Sequence, residues 1–191
     1  MDIYLVRHTT PKIEQGICYG QSDLELADDF PRAFKNIVVQ LPNTKNFKVI
    51  SSPLKRCTTL ANQLSNRILL DDRLKELNFG DWELKAWNDI PEADINPWMN
   101  DFVNVATPNG ESYLQLSSRI NAFFEDLIIS KADMNIIIVS HAGPIRALLS
   151  KLMDISLKDS FNIKINYGDV FHLKKEGRSL KLISEVEVRQ A

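Results

Sequence analysis

Two segments of the chain repeat one pattern. "IYLVRHTTP" (3–11) and "NIIIVSHAGP" (135–144) are apolar runs that close on Arg7-His8 and on Ser140-His141. A third run, "FKVISS" (47–52), ends on two serines and is followed by Arg56. The chain has only three histidines, and two of them stand at such ends, which is hard to attribute to chance. Arginine and histidine are expensive to bury without partners, so these positions ask for solvent or a ligand. Arginine's planar fork matches phosphate oxygens, and free amides at a helix start hold an anion. A neutral imidazole is a nucleophile or a proton carrier. Each piece alone is ordinary surface chemistry. Together they make an electropositive cup suited to an anion such as a phosphate group.

The elements that must position these residues follow from periodicity. "IYLV" (3–6), "FKVISS" (47–52), "RILL" (67–70) and "NIIIVS" (135–140) read as short strands, the last as the most apolar and central. Helical spacing runs from Asp28 to Leu41, capped by Asp28 or Asp29 with Pro31 in the first turn. Ser52-Pro53 reads as an N-cap and first helical residue of a helix ending near Asn66. A long amphipathic helix covers 110–130, and another follows His141-Ala142-Gly143-Pro144. Residues 9–27 form a long loop, and loops of that length in compact domains are usually functional. Residues 71–109 are irregular, with short helices expected near 83–89 and 96–104. The tail alternates on both sides of Lys-Glu-Gly-Arg, as a hairpin does. Strands alternating with helices predict a three-layer α/β/α fold. Its central sheet is mostly parallel, with an antiparallel C-terminal edge hairpin. Residues 1–191 read as one domain, and ligands of such sheets bind outside the carboxyl ends of the strands.

Composition bounds the partners. A chain of 191 residues, 44% apolar and 25% charged, buries roughly 70% of its unfolded surface without staples. A net charge of −2 argues against a nucleic acid or an anionic membrane as partner. The anion site must therefore be local. Cys18 and Cys57 show neither disulfide framework nor metal spacing, and no basic leader precedes the first apolar run. A cytoplasmic protein with free thiols and no metal or other cofactor is expected.

Five blocks in one order carry a resemblance: "VRHTT", "SSPLKRC", "LKELNFGDWE", "PNGES" and "IIIVSHAGPIRALL". With them the chain resembles the histidine phosphatase superfamily, of phosphoglycerate mutase-like fold. Its short length and middle segment look most like the α-ribazole phosphatases of cobalamin biosynthesis. The resemblance implies that His8 is the nucleophile, carrying the phosphoryl group. It implies that Arg7, Arg56 and His141 hold the non-bridging oxygens. Glu76 becomes acid for the leaving oxygen and then base for water. A carboxyl beside a phosphate dianion resists ionisation, because like charges repel. A nucleophilic imidazole needs an acceptor for its other N–H, such as a backbone carbonyl. The implied activity is metal-independent phosphomonoester hydrolysis, with α-ribazole 5′-phosphate as the favoured small-molecule substrate.

The chain also departs from the family pattern. Thr9, Thr10 and Pro11 follow His8 where Gly-x-Thr is usual, and Glu14 stands where Asn is common. Thr9 or Thr10 could supply a hydroxyl to phosphate, against simple turn chemistry. Gly20 and Ala142 are candidates for backbone contact with the ligand, Gly20 equally for a turn glycine of positive φ. Glu83-Leu84 replaces Glu-Gly. Glu111 reads more as helix-dipole partner than as pocket residue. Phe79, Trp82, Trp87 and Trp98 could form a stacking wall, though packing is the commoner use, and His172 reads as a packed or surface histidine. Three alternatives remain: a broad-specificity phosphatase, a cofactor-dependent phosphoglycerate mutase, and, from another class, a non-catalytic phospho-ligand binder. A homodimer through the exposed hairpin edge is left open.

Overall fold

The computed structural model describes residues 1–44, 46–130 and 134–189. Its strands are β1 (Asp2–Arg7), β2 (Lys48–Ser51), β3 (Ile68–Leu70), β4 (Ile136–Ser140), β5 (Val170–Glu176) and β6 (Ser179–Leu182). They form one sheet in the order β3-β2-β4-β1-β5-β6. The β1–β4, β2–β4 and β2–β3 pairs are parallel, and β5 and β6 add antiparallel at one edge. The helices are α1 (Phe30–Val38), α2 (Lys55–Leu64), α3 (Glu92–Asn100), α4 (Tyr113–Ile129) and α5 (Ala142–Leu152).

Alternation along the strands divides the core into the two expected faces. Ile136 and Ile138 pack with Ile3, Leu5 and the apolar stripes of α4 and α5. Ile137 and Val139 pack with Val6, Val49 and residues of α1 and α2. All five residues of β4 are buried, as its unbroken apolar run requires. The chain therefore leaves β1 toward one face and β4 toward the other. Neighbouring parallel strands whose connections diverge leave a crevice at their carboxyl ends. Among the described residues, no helix is long and apolar enough to cross a membrane.

Local details differ from expectation for identifiable reasons. Ser52 is not the N-cap residue of α2; the helix begins at Lys55 with Leu54 at the cap position, and the Ser52 hydroxyl contacts His141 Nε2 at 2.8 Å and accepts from the Leu54 amide at 3.4 Å. In the middle segment, Gly80–Trp82 and Trp87–Asp89 are single 3₁₀ turns. Helix α3 starts earlier than expected, at Glu92 with Pro91 at the cap position, and ends at Asn100 after Pro97 has removed a backbone donor. Leu84, where the family pattern has glycine, sits at φ +65° with its side chain 57% exposed. A Cβ there costs about 1–2 kcal/mol.

Helix α4 carries a capping box. Ser112 accepts from the Gln115 amide at 3.3 Å, and Gln115 accepts from the Ser112 amide at 2.7 Å. Ser112→Ala should cost about 1 kcal/mol. For a chain of this size that lowers the melting temperature by about 2–4 °C, measurable by calorimetry; an unchanged melting point would refute the cap's contribution.

Candidate active site

The sheet order sets three strand ends side by side. Arg7 is in register with Ser140, and Ser51 with Val139. The amides just beyond continue the ladder: His8 N–H donates to Ser140 O at 3.0 Å, and Ser52 N–H to Val139 O at 2.9 Å. Three stretches far apart in sequence thus deliver Arg7-His8, Ser52 and His141 to one rim. Arg56 reaches the same rim from the first turn of α2.

His8 and His141 are 2% and 0% exposed, with ring centroids 5.0 Å apart. His8 Nδ1 lies 2.7 Å from the Thr9 carbonyl oxygen. A carbonyl can only accept, so the proton is assigned to Nδ1, and Nε2 carries the lone pair. Arg56 Nε–H faces that lone pair at 3.3 Å and His141 Nδ1 at 3.2 Å. His141 Nε2 contacts the Ser52 hydroxyl at 2.8 Å, a group that can accept or donate and so tolerates either tautomer. Burial, and then the charge of Arg56, pull both imidazoles well below the usual histidine range. Both are neutral at physiological pH.

Arg56 is fully buried. Its guanidinium donates to the carbonyl of Ser22 at 2.8 Å and to that of Gly20. Arg7 donates to Ile165 O at 2.8 Å, and its guanidinium lies 3.7 Å from the ring centre of Tyr167. Neither arginine pairs with a carboxylate among the described residues. Two cations without counterions flank a neutral imidazole, and such a site is complementary to an anion.

Glu76 faces this group across a cavity of about 240 Å³. Its carboxylate accepts from the Leu77 amide at 2.9 Å and from the Gly143 amide, at the start of α5, at 3.2 Å. A Cβ on Gly143 would stand 2.1 Å from Glu76 Oε1, so glycine makes room for the carboxylate. The backbone behind Glu76 is clamped by Arg119. That guanidinium donates to Lys75 O at 2.7 Å, to Glu76 O at 2.9 Å and to the Glu111 carboxylate at 2.6 Å. Glu111 is therefore structural, as its position near a helix start suggested.

Arg7, His8, Glu76 and Ala142 line the cavity, with Arg56 and His141 buried behind them. The other candidates fall elsewhere. The Thr9 hydroxyl is buried without a hydrogen-bond partner, while the Thr9 carbonyl holds His8. Thr10 is exposed and does not line the cavity, and neither does exposed Glu14. Gly20 is corrected on one reading, the turn glycine of positive φ, and it does not line the cavity. Its φ is not positive, and its amide is already given to Glu83 at 2.9 Å. Glycine is needed because a Cβ would stand 1.8 Å from the Leu77 carbonyl oxygen. Of the aromatic residues, Phe79 and Trp87 line the cavity, while Trp82 and Trp98 pack behind them. His172 pairs with Asp2 at 2.8 Å and stacks on Tyr4, away from the site.

Sequence reasoning missed the supports. Glu83 accepts from the amides of Gly20, Gln21, Ser22 and Phe79 and from the Ser22 hydroxyl, fixing the loop whose carbonyls hold Arg56. Burial alone would raise its pKa; the hydrogen bonds from Ser22, Gly20 and Gln21 outweigh it and lower it. The Tyr19 and Tyr167 hydroxyls meet at 2.6 Å and tie the 9–27 loop to the turn over Arg7. Arg146, also on the cavity wall, lies four residues beyond Ala142 on α5. Only its helical spacing could have flagged it.

Comparison with known proteins gives consistent results. The family model described as histidine phosphatase superfamily (branch 1) matches residues 3–185. "Putative phosphoserine phosphatase 2" of Hydrogenobacter thermophilus is 28% identical over 190 residues, covering 95% of this chain and 93% of that protein. "Adenosylcobalamin/alpha-ribazole phosphatase" of Escherichia coli strain K12 is 26% identical over 182 residues, 88% and 87% of the two chains. The crystal structure of the alpha-ribazole phosphatase from Shigella flexneri superposes with a TM-score of 0.87 at 23% identity. It covers 99% of this chain and 96% of that one. That likeness shows the fold, which is the phosphoglycerate mutase-like one.

The imidazole network generates a pH prediction. As pH falls below about 6.5, the unfolded chain takes up protons that the folded imidazoles refuse. The stability tied to them is present above that pH and lost below it. Ring-nitrogen NMR should show His8 and His141 neutral from pH 8 to pH 6, with the His8 proton on Nδ1. A midpoint near 6.5 for either ring would contradict the burial argument.

Proposed function

The chain belongs to the histidine phosphatase superfamily, and on that premise we propose that it hydrolyses small phosphate monoesters through a phosphohistidine on His8. One observation carries the reading: a buried imidazole with its Nδ1 proton committed lies between two arginines that have no carboxylate partner among the described residues. In the first step His8 Nε2 attacks phosphorus and the bond to the leaving oxygen breaks. Glu76, as the acid, protonates that oxygen. In the second step water attacks phosphorus, Glu76 takes its proton, and the P–N bond breaks to release phosphate and neutral His8. Arg7, Arg56 and His141 donate to the three equatorial oxygens, where charge is spread in the transition state. His141 donates only in the tautomer that carries its proton on Nδ1, with the Ser52 hydroxyl donating to Nε2; in that state Arg56 Nε–H no longer donates to His141 Nδ1 and is turned to the ligand. These groups supply the electrostatic stabilisation themselves, and no step calls on a metal.

For the substrate we favour α-ribazole 5′-phosphate. Support comes from the names of the E. coli and Shigella relatives and from Phe79 and Trp87, which offer the cavity an aromatic wall for a flat base. Comparing kcat/KM for this ester with sugar phosphates tests the assignment; equal values would mark a broad-specificity enzyme instead. A mutase would need a bisphosphate primer and transfer the group to a second hydroxyl rather than to water.

His8→Ala should abolish phosphate release from an aryl phosphate, with wild-type turnover unaffected by EDTA. Retained turnover in that variant eliminates the mechanism, and wild-type ligand binding without hydrolysis would make the protein a binder. Gly143→Ala offers a gentler test, since its added methyl meets the mobile end of Glu76. The expected outcome is a melting point within a few degrees of wild type and kcat reduced by about 10²-fold or more. An unchanged kcat would remove Glu76 from the proton transfer.

A further inference from the structure

The two arginines of the site are held in unequal ways. Arg56 is met by two backbone carbonyls and two imidazole nitrogens. Arg7 has one side-chain hydrogen bond among the described residues, from Nη1 to Ile165 O at 2.8 Å. Its Nε is buried and has no acceptor among those residues. What fixes the plane of its fork is the ring of Tyr167, whose centre lies 3.7 Å from the guanidinium carbon. Stacking of this kind covers a face of the guanidinium and leaves its in-plane N–H donors to an anion. The same ring lies 5.6 Å from that of His8, centre to centre.

Tyr167 is itself pinned from two sides. It sits in a turn bonded to the backbone of the first strand's end: Gly168 N–H donates to His8 O at 3.3 Å, and Arg7 N–H to Asp169 O at 3.0 Å. Gly168 takes φ +78° in that turn, a conformation that a Cβ disfavours. Tyr167 is 39% exposed, so burial does not hold its ring; its hydroxyl meets that of Tyr19 at 2.6 Å. Tyr19 lines the cavity and adjoins Gly20, whose carbonyl accepts from Arg56. One hydrogen bond therefore links the support of Arg7 to the support of Arg56. Burial, and then this bond, raise the Tyr19 hydroxyl above the usual tyrosine range, so it keeps its proton.

We propose that Tyr167 is a positioning residue for the reaction: its ring orients the Arg7 fork, and its bond to Tyr19 sets the spacing between Arg7 and Arg56. The proposal rests on the assignment of phosphorus to His8. Neither tyrosine takes or gives a proton in either step. Charge spreads over three equatorial oxygens in the transition state, and both guanidiniums must meet them together. A fork turned out of place is therefore felt in transition-state binding. Phenylalanine at either position keeps the ring and removes the bridge. Leucine at 167 removes the stack as well.

The test measures kcat/KM for p-nitrophenyl phosphate and the inhibition constant of orthovanadate, whose five-coordinate form resembles the transition state. An inhibition constant does not depend on how much of a sample is folded, so lost protein does not mimic the effect. Tyr167→Leu should weaken vanadate inhibition and lower kcat/KM by at least about 10-fold. Tyr167→Phe and Tyr19→Phe should each cost about 3- to 5-fold, and the double variant no more than either alone. A turn with a merely structural role would lower the melting point and leave the vanadate constant unchanged. A Tyr167→Leu enzyme within threefold of wild type overturns the proposal. So do phenylalanine effects that are absent, or that multiply in the double variant. In each of these cases wild-type turnover leaves the phosphatase reading standing. A wild type inactive on p-nitrophenyl phosphate sinks that reading and the positioning role with it.

Discussion

The site is organised around one buried charge, the guanidinium of Arg56. It is fully excluded from solvent and is met by two backbone carbonyls and two neutral imidazoles, none of which cancels its charge. Holding such a group in place is costly, and much of the surrounding structure bears on that task. The loop that offers the Gly20 and Ser22 carbonyls is itself fixed by Glu83, which gathers the loop's amides. Gly20 has no room for a side chain, because the Leu77 carbonyl passes against its Cα.

The same charge governs the protonation of its neighbours. Beside Arg56 and out of water, His8 and His141 stay neutral, and the Thr9 carbonyl decides which nitrogen of His8 carries the proton. A nucleophile needs that state. Glu76 stands on the opposite side, where the Gly143 amide at the head of α5 receives its carboxylate and Arg119 holds its backbone. Arg56 and the two imidazoles are thus held against one another by strand ends and the first turn of α2, and the carboxyl is held by the start of α5 and a clamped loop. Phosphoryl transfer depends on positioning of this kind more than on covalent participation by many groups.

Beyond the phosphate end, the cavity changes character. Phe79 and Trp87 contribute aromatic surface from the middle segment, and Arg146 contributes charge from α5. Relatives carry names that specify different substrates, phosphoserine in one and adenosylcobalamin or alpha-ribazole in another. The strand ends and the outer wall come from different parts of the chain, so one can change without disturbing the other.

Part of this was legible in the residues alone. Apolar runs closing on Arg7-His8, Ser51-Ser52 and Ser140-His141 specify strands, because continuous apolar segments must be buried on both faces. A parallel sheet then carries their polar ends to one rim, so the cup could be inferred before any coordinates. Glu76 could be singled out only through the resemblance of its block to a family, since nothing in "LKELNFG" marks one carboxylate for chemistry. The supports were not legible. Glu83 binds residues about 60 positions away, Arg119 grips backbone more than 40 positions away, and Tyr19 meets Tyr167 across 148. Gly20 looked like a turn glycine and is in fact one that a distant carbonyl leaves no room to replace. Local patterns report the burial and curvature of each segment, which the sequence by itself determined. Which loop backbone lies against which charged side chain depends on how those segments pack, and only the tertiary structure decided that, because hydrogen bonds between distant loops leave no periodicity in either one.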